Sequence, residues 1–406
     1  MADRKNDLKR RDFLKKGLTG LAVVGAAPAV LRPDSGSQTA SAGAVAKPVI
    51  RTLGKTGMKI PVVSMGVMNS DNPNLVREAL DSGIRFLDTA HGYQRGRNEQ
   101  MIGEVIKGRP RDSFYLATKV PGPNRDRSMQ GVPKEEAVAI FLRNFDTSLG
   151  RLGLDYVDIL YCHNVDKREH VLDEVVIEAL QTAKKSGKAR FIGVSTHANE
   201  PEVIRAAIEA GVYDVVLSAY NFRQDHREEL RKAVAEAVKA GLGVIAMKTQ
   251  AGAYWDKEKQ QPINMRAALK WVLNDPNVTT AIPGFTTFDQ LREDLKVMAN
   301  LKLTPEELHD LRLDQQAGGL YCQQCEQCLP GCPQGLPIPT LMRGYMYAYG
   351  YRNLALAHEV VTSVELPADP CAPCAACGTA CVKGFDLKER ISDIVRLRVV
   401  PPDFFA

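Results

Sequence analysis

Arg85-Phe86-Leu87-Asp88-Thr89-Ala90-His91-Gly92-Tyr93 is a short apolar run that closes on a carboxylate and passes into a polar loop. Similar runs recur on either side, at 62–67, 114–119, 156–162, 189–195, 214–219, 243–247 and 279–283. Each has four to eight residues, the length of a buried strand. Helix-like segments lie between them, among them 74–81, 133–149, 171–186 and 265–274. Eight strands alternating with helices over ~250 residues predict a parallel (β/α)8 barrel of the α/β class, a TIM barrel. A doubly wound open sheet is the competing topology, but no Gly-x-Gly-x-x-Gly follows the first run.

In such a barrel the reactive groups collect at the C-terminal ends of the strands. Asp88 closes the second run, Lys119 the third and Ser195 the fifth, while His163 ends the fourth and Tyr93 lies in the loop after Asp88. A phenol, an ammonium, a carboxylate and an imidazole around one mouth suit proton donation to a carbonyl oxygen. Tyrosine ionises at about pH 10. A Lys119 cation beside Tyr93 is expected to lower that value and make the phenol a usable general acid. Asp88 would hold Lys119 charged and in place, and His163 would orient the carbonyl oxygen. The bland alternative is a structural Asp–Lys ion pair beside a satisfied histidine.

Phe86 to Tyr93, followed by Asn98-Glu99 and Gly103, resembles the aldo/keto reductase signature. Ala117-Thr118-Lys119 and Asp158-Ile159-Leu160-Tyr161-Cys162-His163 are similar to that family's lysine and histidine motifs. The likeness runs from about Ile50 to Leu301. It implies catalytic roles for Asp88, Tyr93, Lys119 and His163, a carbonyl or alcohol substrate, and NADPH or NADH as cofactor. It also implies a nucleotide path along Ser195, Ser218, Met247, Lys248, Gly284, Gln290, Glu293 and Asp294. The sequence departs from the family there: Thr196 follows Ser195 where asparagine is usual, and Ser218 stands for a glutamine. Gly284 and Gln290 occupy positions that often carry Lys and Arg against a 2′-phosphate, a group that wants such a clamp. Arg292 or Lys248 could substitute, and NADH or a weakened cofactor site stays open.

Eight of the nine cysteines crowd between Cys322 and Cys381. Cys322, Cys325, Cys328 and Cys332, followed by Pro333, have the spacing of the bacterial ferredoxin run. Cys371, Cys374, Cys377 and Cys381 repeat it, ending in Val382 instead of proline. In two-cluster ferredoxins the fourth cysteine of each run serves the other cluster. By that likeness Cys381 joins Cys322, Cys325 and Cys328 on one 4Fe-4S cluster, and Cys332 joins Cys371, Cys374 and Cys377 on a second. One cluster, zinc and disulfides are the alternatives; zinc prefers paired knuckles. The lone Cys162 reads as a small core residue.

Composition is that of a soluble globular protein, with 44% hydrophobic and 25% charged residues. A net charge of +5 over 406 residues, with no clustered basic face, gives no nucleic-acid footprint. Much of the excess lies at the N-terminus, where Arg10-Arg11-Asp12-Phe13-Leu14-Lys15 resembles a twin-arginine export signal. A weakly apolar stretch and small-residue cleavage sites follow it. The expected layout is a signal and linker over 1–46, a barrel over 47–316 and a helical ferredoxin-type domain over 317–406. The expected location is periplasmic or otherwise outside the cytoplasm, with a cytoplasmic protein as the alternative. Partners are the small substrate and a redox protein, with membrane contact only through an uncleaved signal.

Overall fold

The computed structural model describes residues 47–256, 258–313 and 321–405, with the backbone alone at Pro402. The twin-arginine segment, its cleavage sites and the expected boundary at 316/317 lie outside the described residues.

An antiparallel hairpin of β1 (Ile50–Thr52) and β2 (Lys59–Pro61) leads the chain in. Eight strands follow: β3 (Met65–Gly66), β4 (Phe86–Asp88), β5 (Tyr115–Pro121), β6 (Val157–His163), β7 (Ala189–Thr196), β8 (Val215–Ala219), β9 (Gly243–Met247) and β10 (Thr280–Ala281). They lie side by side in chain order, and every neighbouring pair is parallel. A parallel bridge between Val63 and Ala281 joins the two ends of the sheet. The order never reverses, so the doubly wound alternative, which needs a topological switch point, is excluded. The eight apolar runs are these eight strands.

Successive side chains on a strand point to opposite faces. Leu87, Leu116, Val120, Leu160, Cys162, Val194 and Val216 point outward and pack with the surrounding helices. Phe86, Ala117, Ile159, Tyr161, Val215, Leu217 and Ile245 point inward and fill the barrel, with Leu53, Met58 and Ile60 from the hairpin side closing its floor. Asp88 is in phase with Phe86, Lys119 with Ala117, and His163 with Tyr161. The alternation that builds the apolar core therefore aims these polar groups into the barrel at its C-terminal end.

The tail has helices at Ile338–Tyr349, Leu354–Thr362 and Leu387–Ile394. Ile338, Leu341, Met342, Ala357, Val361, Leu387, Ile391 and Ile394 form its core, with Met68 of the barrel packed against it. The sequence suggests that residues 383–406 lie back on the barrel. Lys383 does pair with Asp225 of the barrel, whereas Leu387, Ile391 and Ile394 make an i, i+4, i+7 stripe buried within the tail's own core. Barrel and tail belong to one compact unit. Among the described residues no helix is long and apolar enough to cross a membrane.

Candidate active site

At the barrel mouth the Lys119 ammonium bridges three groups. It pairs with Asp88 Oδ1, donates to the Thr89 carbonyl at 2.6 Å and donates to Tyr93 Oη at 3.2 Å. Lys119 and Asp88 are both almost fully buried. Burial pushes each toward its neutral form, and the charge of the other opposes that shift. His163 packs edge-on to Tyr93, ring centroids 5.7 Å apart. Burial, with the nearby charges of Lys119, Arg343 and Arg125, holds its pKa well below the ordinary histidine value. It is a neutral imidazole that can donate one hydrogen bond.

The expected lowering of Tyr93 is not found. Burial first, then the negative charge of Asp88, holds the phenol well above its usual pKa. Tyr93 is therefore a firmly protonated donor. The Lys119 ammonium beside its oxygen favours loss of that proton only as negative charge builds on an acceptor.

The loop carrying Tyr93 is held from below. Asn98 accepts from the Thr89 hydroxyl at 2.7 Å and donates to the Val67 carbonyl at 2.9 Å. Glu99 accepts from Thr118 at 2.6 Å and pairs with Arg151 at 3.1 Å. Arg151 also donates to the His91 carbonyl at 2.8 Å. Gln94 and Arg95 take left-handed backbone, φ 52° and 55°, just after Tyr93. The Asn98-Glu99 pair of the sequence motif thus acts as scaffolding for the acid.

The tail closes over the mouth. Arg343 donates to Asn164 Oδ1 at 3.4 Å, Asn353 to Asn69 Oδ1 at 3.2 Å and Gln323 to the Arg223 carbonyl at 3.0 Å. Arg127 pairs with Glu365, and Lys383 with Asp225. Between barrel and tail lies a cavity of about 1230 Å³, lined by Asp88, Tyr93, Lys119 and His163 from below and by Arg343, Tyr347 and Tyr351 from above. Sequence reasoning missed these tail residues. The signal that could have found one is that Arg343 is the only charged residue between Ile338 and Tyr349, since an isolated charge in an apolar helix needs a reason. The tyrosines at 345, 347, 349 and 351 line this cavity.

The residues proposed for a nucleotide are split. Ser195, Met247, Lys248, Gly284, Gln290, Glu293 and Asp294 line the cavity. Ser218 does not: its strand phase turns it outward, and its hydroxyl donates to the Ala219 carbonyl at 3.1 Å. Ala219 and Asn221 line the wall on that side. Ser195 Oγ accepts from the Asn164 amide at 3.0 Å. Lys248 takes φ 54°, and burial, with Arg343 nearby, lowers its pKa to about 7. Gln290 is turned back to accept from the Thr286 amide at 2.8 Å, and Glu293 pairs with Lys296. Arg292, the suggested substitute clamp, is exposed and pairs with Asp289 at 2.5 Å. Burial raises the Asp294 carboxyl to about 7.

The tail cysteines gather in two neighbourhoods. Cys325, Cys328 and Cys381 lie close enough to Cys322 for their charges to add to the burial that raises its thiol to about 12. A small pocket is lined by Cys332, Cys371, Cys374 and Cys377, beside Pro333. All eight are free thiols. Cys332 also lies near Cys328, and among the described residues no three of these side chains stand in ready ligating geometry; four sulfurs per cluster is the donor complement that crosswise sharing would supply. Cys162 is fully buried in the barrel's outer core.

Comparison with known proteins agrees with this fold. The chain matches the aldo/keto reductase family over residues 57–267 and the 4Fe-4S dicluster domain over residues 321–386. It is 27% identical over 296 residues to the uncharacterized oxidoreductase YqkF of Bacillus subtilis, covering 64% of this chain and 95% of that protein. L-galactose dehydrogenase of Arabidopsis thaliana is 28% identical over 308 residues, covering 66% of this chain and 91% of that protein. The solved holo form of the aldo-keto reductase AKR11C1 from Bacillus halodurans aligns with a TM-score of 0.54 at 25% identity, covering 68% of this chain and 99% of that one. These proteins are matched almost whole by about two thirds of this chain. The chain belongs to the aldo/keto reductase family of oxidoreductases and carries a 4Fe-4S dicluster domain after its barrel.

Proposed function

We propose that this protein reduces a small-molecule carbonyl, or oxidises the corresponding alcohol, at the barrel mouth with Tyr93 as general acid. The observation that carries this reading is the Lys119 ammonium set between Asp88 and the Tyr93 hydroxyl in a buried, tail-covered cavity. Bound NADH or NADPH would supply the hydride. Ser195, Met247, Lys248, Gly284, Gln290, Glu293 and Asp294 would hold it, without a clamp for a 2′-phosphate at Gly284 and Gln290. The chain's own residues do the rest. His163 donates to the carbonyl oxygen and orients it. Tyr93 gives that oxygen its proton, Lys119 stabilises the phenolate left behind, and Asp88 keeps Lys119 in place. The tail excludes water, which strengthens each of these interactions.

Two 4Fe-4S clusters, shared crosswise between the runs, fit the cysteine sets. They would exchange electrons with a redox partner or brace the tail. Export through the twin-arginine route accounts for residues 1–46 and would deliver the clusters already assembled. A second reading is favoured by one observation: Cys322 borders the same cavity as Tyr93. In it the protein is an exported electron carrier whose barrel does not turn over free nicotinamide.

The test is carbonyl-dependent oxidation of NADH and NADPH by the cluster-loaded full chain across a panel of aldehydes and ketones. Tyr93→Phe is expected to slow turnover at least about 100-fold, the scale of a lost general acid, while the visible iron–sulfur absorbance stays. Equal rates in the two proteins would remove Tyr93 from the role.

A further inference from the structure

Arg343 reaches from the tail helix into the mouth and is about 95% buried. Among the described residues its one hydrogen bond to a barrel residue runs 3.4 Å to the neutral Asn164 amide oxygen. Lys248 faces the Tyr347 ring at 5.7 Å and likewise has no ion pair among the described residues. The carboxylates around them are already engaged. Asp88 holds Lys119, Asp166 holds Arg125 and His170, and Glu200 accepts from His226 and Gln224. His197, also on the cavity wall, is about nine-tenths buried, and its Nδ1 has no hydrogen-bond partner. The same holds for Thr249 Oγ1. Asp166 and Cys322 lie close enough to Arg343 for their charges to act on it, yet neither accepts a hydrogen bond from the guanidinium, and a buried donor without an acceptor is costly, which calls for an acceptor in the cavity.

The location says what that is. Arg343 meets the loops after β5 and β6, through Arg125 and Asn164, next in the chain to His163. The segment from Gly284 to Asp294, proposed for the far end of the nucleotide, follows β10. Tyr347 stands close enough to feel Arg343, Tyr93, Arg125 and Lys119 together. A group held by Arg343 is therefore adjacent to the carbonyl-activating pair and not at the far nucleotide end.

We infer that Arg343 of the tail, with His197, forms an oxyanion subsite over the barrel mouth, and that the substrate is a carbonyl compound bearing a carboxylate or a phosphate. A guanidinium fork matches either anion with two parallel hydrogen bonds. The iron–sulfur tail thus supplies a specificity residue as well as cysteines. The inference rests on the carbonyl-reducing reading for the fate of the ligand, but the anion site is read by binding alone.

The test is calorimetric titration of the cluster-loaded full chain with oxamate and, separately, inorganic phosphate. Saturable binding of at least one is expected, weakened at least about tenfold in Arg343→Met and partly restored in Arg343→Lys. Stronger oxamate binding identifies a carboxylate substrate, and stronger phosphate binding a phosphate ester. NADH affinity is expected to stay within about twofold in both variants, with the iron–sulfur absorbance intact. No binding of either anion, affinity that ignores Arg343, or a parallel tenfold loss of NADH binding would overturn the subsite. Arg343-dependent anion binding in a protein that turns over no carbonyl would reject only the catalytic reading.

Discussion

At the scale of single residues, burial decides the chemistry more than neighbouring charge does. Tyr93, Lys119, Asp88 and His163 are each driven toward their neutral forms by loss of water. The residue types and their strand-end positions were legible because the family spacing is intact. Their electrostatic state was not, because burial under a tail from the far end of the chain is a long-range property. Asp294 shows the consequence for stability. Its carboxyl is raised to about 7, so the folded state binds a proton that the unfolded chain, near pH 3.9, has already released. Stability is therefore largest below the unfolded pKa and falls as pH rises toward 7. Asp294→Asn removes that loss. Its urea midpoint is expected to gain on the parent progressively from pH 4 to pH 7 and to level off above about 7.5. A constant difference across that range would contradict the assignment.

At the scale of elements, all eight barrel strands were readable from run length, because a strand covered on both faces is apolar throughout. Ser218 was misplaced by reasoning from family position alone; strand phase turns it away from the mouth while Leu217 and Ala219 face inward. The strand Ala189–Thr196 contains the tightest demand in the barrel. A Cβ on Gly193 would lie 2.2 Å from the Val215 carbonyl oxygen and 3.0 Å from the Tyr161 ring. Neither the strand-to-strand ladder nor the packed interior can retreat. Gly193→Ala is expected to cost about 3 kcal/mol or more in urea denaturation, at the upper end of overpacking effects. A loss under about 0.5 kcal/mol would mean that the strand pair is looser than drawn.

At the scale of the whole molecule, the sequence separates barrel from cysteine tail but does not reveal that the tail roofs the active site. That contact is made by side chains such as Arg343 and Asn353, far in sequence from Asn164 and Asn69. The proposed crossing of the cysteine sets is a further whole-tail property. Iron and acid-labile sulfide are expected near eight of each per chain, the content of two cubane clusters. Cys332→Ser is expected to perturb the cluster of Cys371, Cys374 and Cys377, and Cys381→Ser that of Cys322, Cys325 and Cys328. Electron paramagnetic resonance of each reduced variant should show one altered signal, a different one in each. The same signal altered in both would show that the sets are not crossed.

The cavity between barrel and tail is proposed as a nicotinamide-dependent active site. The most direct measurement is fluorescence titration of the full, cluster-loaded protein with NADH and with NADPH. Saturable, one-to-one binding of at least one of them is expected. No saturation with either nucleotide up to millimolar concentration would contradict it.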